Sequence, residues 1–378
     1  MDRIEVFDIE METERKIRIC IMVSSLGIGG AERSSAILSR MLSDIGYDIT
    51  IVSILDHVVY NYKGDLVNLE KLTATRKGLR KRWDKFVISR KLISKNKFDY
   101  IIDAAPRPSW FRQWFINTFV YQKTDTIFVV HNYNLSSYFP NSSFLGKKLY
   151  QNSYELVGVS KESVLHFKKK YQLQKGRCIY NAFDEEYWNN LADEEVKVPS
   201  EPYILSYGRI TDESKNYKFL IQSYTTSRLP QKGVKLYIMG DGPDKEMIQN
   251  LVRSCKMEEN IIFLGFSDNP FPYIKKALFA TLTSNYEGFP MVLVESLAMG
   301  TPVVSVDCKS GPSEIVVTGD NGILVPFKDQ ESYKNALNKM IEDEEFYNQC
   351  VEGTKKSVTK FKIENIAPQW QAILPPKI

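Results

Sequence analysis

Asn285-Tyr-Glu-Gly-Phe-Pro-Met-Val-Leu-Val-Glu-Ser-Leu-Ala-Met-Gly300 is the stretch whose reading decides the fold. Two apolar runs of strand length bracket it, residues 278–282 and 303–306, so the part between reads as a crossover joining parallel strands. Gly288 and Pro290 mark a loop, residues 291–299 read as a short apolar helix, and Gly300 followed by Pro302 stops it. Glu287 then falls in the loop ahead of the helix and Glu295 near its second turn. Loops at the carboxyl ends of parallel strands hold ligands, and the N–H groups that open a helix favour an anion such as phosphate. Two carboxylates beside an anion would repel it unless they face hydrogen-bond donors, and sugar hydroxyls are such donors.

The same alternation of strand and helix extends in both directions from this unit. Upstream, residues 203–207, 234–239 and 261–264 read as strands that end at Gly208-Arg209, at Gly240-Asp-Gly-Pro243 and at Gly265. Lys215-Asn216 then introduces a helix, and Arg209 and Lys215 from one loop can neutralise a diphosphate without a metal. Near the start, residues 17–23 form a first strand that runs into Ser24-Ser-Leu-Gly-Ile-Gly-Gly-Ala-Glu-Arg33 and a helix. Gly27, Gly29 and Gly30 let the backbone approach a phosphate or sugar, or they form only a tight turn. Glu32 stands where a dinucleotide fingerprint needs its third glycine, which argues against hydride transfer. Further strands are read at 47–55, 100–104, 126–130 and 155–160, the third of these ending at His131-Asn132. A His at that edge either faces the ligand or is a satisfied structural residue.

A length of 378 residues suits two domains, and 43% hydrophobic with 25% charged residues suits a soluble protein with ample core. Five scattered cysteines argue against a disulfide framework and a zinc site, and point to a reducing cytosol. No apolar run is long enough to cross a membrane, and residues 1–16 read as an acidic, frayed extension rather than a signal sequence. Residues 17–180 carry 26 Lys and Arg against 12 Asp and Glu, leaving 24 against 34 elsewhere, so the first half attracts an anionic partner. Ten basic residues and the single acid Asp84 lie in residues 76–97, interleaved with Leu79, Trp83 and Phe86. Residues 106–115 add Arg107, Trp110, Phe111, Arg112, Trp114 and Phe115, and together the two segments suit an anionic membrane surface. Nothing resembles an RNA-binding motif, so nucleic acid is not expected.

Glu287, seven residues and Glu295, with Gly288-Phe-Pro290 inside and Gly300-Thr-Pro-Val-Val304 after, closely resemble the donor motif of retaining family-four glycosyltransferases. Gly29-Gly-Ala-Glu-Arg33, Gly208-Arg209, Lys215-Asn216, Gly311-Pro-Ser-Glu314 and Asn321-Gly322 follow the same family pattern, whereas residues 56–124 carry no matching motif. The resemblance implies an α/β fold of GT-B architecture: two Rossmann-like domains facing across a cleft, with a C-terminal helix crossing back. Its implied parts are an extension over 1–16, an acceptor domain over 17–184, a nucleotide-sugar domain over 185–360, and the returning helix over 361–378. It implies that Glu287, Lys215, Arg209 and His131 serve catalysis. The donor would be held by Glu295, which binds ribose, with Gly29, Gly30, Gly208, Phe263, Phe289, Pro290 and Met291. The implied donor is a nucleotide sugar, most simply UDP-linked, and the acceptor a glycan or lipid-linked glycan of surface polysaccharide synthesis. No cofactor or divalent metal is expected, and the place of work is the cytoplasm or the cytosolic membrane face. A nucleotide-sugar epimerase or a silent sugar-nucleotide-binding protein would share the architecture. Glu314 reads as a helix-capping residue without chemistry.

Overall fold

The computed structural model describes residues 15–27 and 29–377. Apart from Arg15 and Lys16, the expected extension lies outside them. Thirteen strands appear among the described residues, in two sheets. The first holds β1 (Arg18–Val23), β2 (Asp48–Ser53), β3 (Asp65–Asn68), β4 (Tyr100–Asp103), β5 (Asp125–Val130), β6 (Glu155–Gly158) and β7 (Arg177–Cys178), in the order β3-β2-β1-β4-β5-β6-β7. The second holds β8 (Tyr203–Tyr207), β9 (Lys235–Met239), β10 (Ile261–Gly265), β11 (Ala280–Leu282), β12 (Val303–Val306) and β13 (Gly322–Val325), in the order β10-β9-β8-β11-β12-β13. Every pairing is parallel. Strand order therefore reverses between β1 and β4 in one sheet and between β8 and β11 in the other. Those reversals open a crevice at the carboxyl ends, where doubly wound sheets bind ligands.

Helices cover both faces, which is why the strands read as continuous apolar runs rather than alternating ones. One hydrophobic cluster runs from Ile19 and Ile21 through Trp188, Leu205 and Leu293 to Trp370, so the inner layers of the two sheets share a core. The chain passes between the sheets twice, side by side. Phe183 donates its N–H to the Phe361 carbonyl at 3.0 Å, and Ile363 donates to the Phe183 carbonyl at 3.1 Å. Trp188 stacks on Phe183 and packs against Phe271, anchoring the first passage in the second domain. The helix Ile363–Gln371 buries Ile366, Ala367 and Trp370 and packs on Gly30–Asp44 of the first domain. Beyond it Tyr47 and Tyr100 donate to the carbonyls of Leu374 (3.1 Å) and Pro375 (2.8 Å).

The stretch without a motif, 56–124, supplies β3, the helix Gly78–Asn96, and the helix Trp110–Ile116, which loosens into a π turn over Asn117–Tyr121. Leu79 is 81% exposed, Phe111 65% and Trp83 58%, so these large apolar groups are not core. Arg107, grouped by the sequence with the exposed basic residues, is instead fully buried. Its guanidinium donates to the carbonyls of Asp103 (2.8 Å), Ala105 (2.8 Å) and Val129 (2.9 Å), tying together the ends of β4 and β5. A buried Arg needs its five donors satisfied, and strand-end carbonyls satisfy them. Glu70 likewise draws in Lys81 and Lys85, withdrawing part of the basic charge of the helix.

Candidate active site

The loops that leave β8 and β11 are stitched together at the strand reversal of the second sheet. Asn285 donates its N–H to the Ser214 carbonyl and its side-chain amide to that of Glu213, both at 2.8 Å. Thr283 donates its hydroxyl to the Lys215 carbonyl at 3.0 Å. Asn216 ends the short helix Asp212–Lys215 in the left-handed region, φ 54°, which Asn tolerates better than most residues. Lys215, held there, places Nζ 2.6 Å from Oε1 of Glu287, which also accepts from the Ser284 hydroxyl at 2.6 Å.

The Glu287 loop touches the first domain directly. Tyr133, on the loop after β5, donates its N–H to the Glu287 carbonyl at 2.9 Å. A Cβ on Gly288 would lie 1.8 Å from the His131 carbonyl oxygen, so only glycine permits this approach. The glycine turns of the second sheet are equally close: Gly208 donates to Met239 and Gly240 to Gly265 across neighbouring strand ends. Arg209 is exposed at this edge, facing Glu32 of the first domain. Burial pushes the Glu32 carboxyl above its usual pKa, and its backbone hydrogen bond and the charge of Arg209 only partly offset that. Gly29 and Gly30 open the helix Gly30–Asp44 beside it.

Several expected donor residues turn out differently. Glu295 is 2% exposed, and Nη1 of Arg33 lies 2.5 Å from its Oε1, so in this structure the carboxylate is covered by a side chain of the other domain. Phe289 and Met291 are buried in the shared core, Phe289 against the rings of Tyr180 and Phe361, so their side chains are turned away from the cleft into that core. Pro290 caps the helix Met291–Ala298. Phe263 sits on edge strand β10 and packs against the core under Tyr217–Thr225 and Lys245–Ser254. His131 buries both ring nitrogens without a protein partner and shares a small cavity with Ser34, Asn181 and Trp370. Desolvation, reinforced by Arg107, lowers its pKa to about 4, so the ring is neutral at physiological pH. Among the described residues no group of three His, Cys, Asp or Glu comes together as a metal site.

Residues 189–357 match the family described as glycosyl transferases group 1. Over that segment, a little under half of its length, the chain is similar to this family. A Campylobacter jejuni enzyme, named N-acetylgalactosamine-N,N'-diacetylbacillosaminyl-diphospho-undecaprenol 4-alpha-N-acetylgalactosaminyltransferase, is 27% identical over 93% of this chain and 99% of its own. Staphylococcus aureus TarM superposes with a TM-score of 0.76 over 95% of this chain and all of that one, at 13% identity. Anabaena HepE, solved with UDP, gives 0.71 over 95% and 99%, at 17% identity. The chain thus shares the GT-B fold of both structures.

Two contacts at the site escaped the sequence. Arg33 belongs to a quoted motif, but nothing local indicates a partner 262 positions later. Glu314 caps a helix, though one in the other domain. Its carboxylate accepts from the N–H groups of Lys161 (3.0 Å) and Glu162 (3.3 Å) at the start of Lys161–Tyr171, and from the Tyr180 hydroxyl at 2.7 Å. A carboxylate at a helix N-terminus is favoured by the orphan donors there and by the helix dipole.

Proposed function

We propose that this glycosyltransferase moves a hexosyl or N-acetylhexosaminyl group from a UDP-linked donor to a hydroxyl of a lipid-linked glycan, with retention of anomeric configuration. The observation that carries the reading is the Lys215–Glu287 pair, 2.6 Å apart at the strand reversal, with Arg209 on the same loop. Lys215 and Arg209 supply positive charge where a diphosphate leaves, a role that needs no divalent metal. The bond from the anomeric carbon to the phosphate oxygen breaks with its electrons passing to the diphosphate. The acceptor oxygen bonds to the same face of that carbon, and its proton goes to the departing phosphate. Glu287, oriented by Lys215 and Ser284, is placed to accept hydrogen bonds from hydroxyls of the transferred sugar. Mass spectrometry and NMR of products from UDP-sugars and a polyprenyl-diphosphate-linked glycan test this. An α-linked product from an α-linked donor is expected; an inverted linkage, or an isomerised donor without transfer, refutes it.

The lipid-linked acceptor is supported by the diphospho-undecaprenol in the Campylobacter relative's name. A second support is the groove lined by Trp83, Phe86, Phe115 and Phe119 with Arg90, Lys91 and Lys95 at its edge. Among the described residues no helix is long and apolar enough to cross a membrane. Aromatic groups beside Lys and Arg suit the headgroup boundary of an anionic cytosolic leaflet, each cation contributing about 1 kcal/mol. Changing Arg90, Lys91 and Lys95 together to Glu should abolish flotation with anionic liposomes. Equal flotation by wild type and variant removes the membrane part of the reading.

A further inference from the structure

Arg33 stands in the first turn of Gly30–Asp44, the helix that follows the glycine loop of β1, and its side chain leaves its own domain to reach Glu295 in the other. Two aromatic rings flank the guanidinium, Tyr60 of the first domain with its centroid at 4.9 Å and Phe271 of the second at 5.9 Å. Tyr207 lies beside the same carboxylate, but its hydroxyl donates to the Val292 carbonyl at 2.7 Å and lies 3.2 Å from the Ser296 hydroxyl, and it carries no positive charge to offer Glu295. Burial and the charge of Glu295 both hold that phenol protonated. Arg33 is therefore the charge partner on which Glu295 depends while the two domains touch.

We propose that Arg33 is a positioning residue of the donor site, an internal counter-ion that occupies Glu295 when no donor is bound and releases it to the ribose. The inference rests on the reading of Glu295 as the ribose ligand. A carboxylate covered this closely has no room for a ribose diol until the ion pair parts, and because the pair bridges the domains, separating them parts it. In the separated form both groups hydrate, and the donor enters. When the domains meet again, the ribose hydroxyls satisfy Glu295, and the guanidinium rests on the Tyr60 ring of its own domain, a cation–π contact. A buried ion pair contributes little net stability, because desolvation offsets attraction, so neutral hydroxyls can replace it. The pair still lowers apparent donor affinity, because binding draws only on the fraction of molecules in which Glu295 is uncovered.

Arg33→Met removes the competitor and keeps much of the apolar stem, while Arg33→Lys keeps the charge. Calorimetry with UDP as the probe should show Arg33→Met binding on the order of tenfold tighter than wild type. Arg33→Lys should fall between the two, and the donor KM should follow the same order. A variant merely damaged in structure would bind more weakly, so tighter binding separates the two explanations. UDP affinity equal to or below wild type in Arg33→Met, with an unchanged melting temperature, overturns the proposal and makes Arg33 a support for Glu295. Small-angle scattering without nucleotide gives an independent reading. Arg33→Met strands the buried Glu295 carboxylate in the closed form, which costs more than replacing the whole pair, so it should have a larger radius of gyration than wild type, and identical radii overturn the bridging role. If neither protein binds UDP, the nucleotide reading has failed, and scattering alone still decides whether the pair holds the domains together.

Discussion

Replacing Lys215 by Met is the sharpest test of the leaving-group site, because it removes one charge and retains most of the side-chain stem. The Lys215 side chain is 24% exposed and that of Glu287 13%, an environment for which an effective dielectric near 20 is appropriate. Two unit charges about 4 Å apart then interact by about 4 kcal/mol. The diphosphate gains only part of a charge between bound donor and transition state, so roughly half of that, about 2 kcal/mol, is differential and acts on the barrier. The lost hydrogen-bond donor raises the total toward the loss of about 10²- to 10³-fold typical of such sites. Glu287 keeps its bond from Ser284, so the carboxylate is not stranded and the fold should hold. Single-turnover transfer from labelled donor at saturation, beside a melting curve, reads both quantities. Turnover within threefold of wild type at an unchanged melting temperature would refute the assignment.

Gly288→Ala should abolish most turnover while leaving each domain folded, since its methyl would strike the His131 carbonyl and keep the domains from meeting; circular dichroism with a transfer assay decides, and an active variant contradicts the contact. Glu314→Gln removes the charge that caps Lys161–Tyr171 and should cost about 1 kcal/mol, read as a fall of about 2–4 °C in melting temperature; a wild-type melt would show that the cap contributes nothing. His131 titrates near 6.5 when unfolded but at about 4 when folded, so below pH 6.5 the unfolded chain binds the extra proton. Its contribution to stability is present above pH 6.5 and is lost as pH falls toward 4. Wild type should therefore lose more melting temperature across that window than His131→Gln, and parallel curves would contradict the buried neutral ring.

Much of this architecture could be read because its signals are local. Each strand of the second domain up to β12 is a short apolar run closed by a glycine or a polar turn, and Lys215 and Glu287 lie in loops whose place follows from those strands. What could not be read depends on partners distant in sequence. Arg107 looks like any basic residue beside tryptophans until the ends of β4 and β5 supply the carbonyls that bury it. Phe289 and Met291 were expected at the donor because of the motif around them, but an apolar side chain beside a shared core is drawn into it. Strand β3, with the sequence Asp-Leu-Val-Asn at a sheet edge, is too short and too polar to signal itself.

The paired passages of chain at Phe183 and at Phe361 to Ile363 are where an opening of one domain against the other should be centred. Two adjacent segments bonded to each other would act as a hinge along one line for any opening of the two sheets, resisting sliding while leaving rotation about that line soft. Displacement then grows with distance from the hinge, as for a door. Tyr180, whose ring lies 5.0 Å from Phe361, should move least on opening. Contacts farther from the strip should separate most for the same angle, so a pair of fluorescent labels reports opening best when placed far from Phe183.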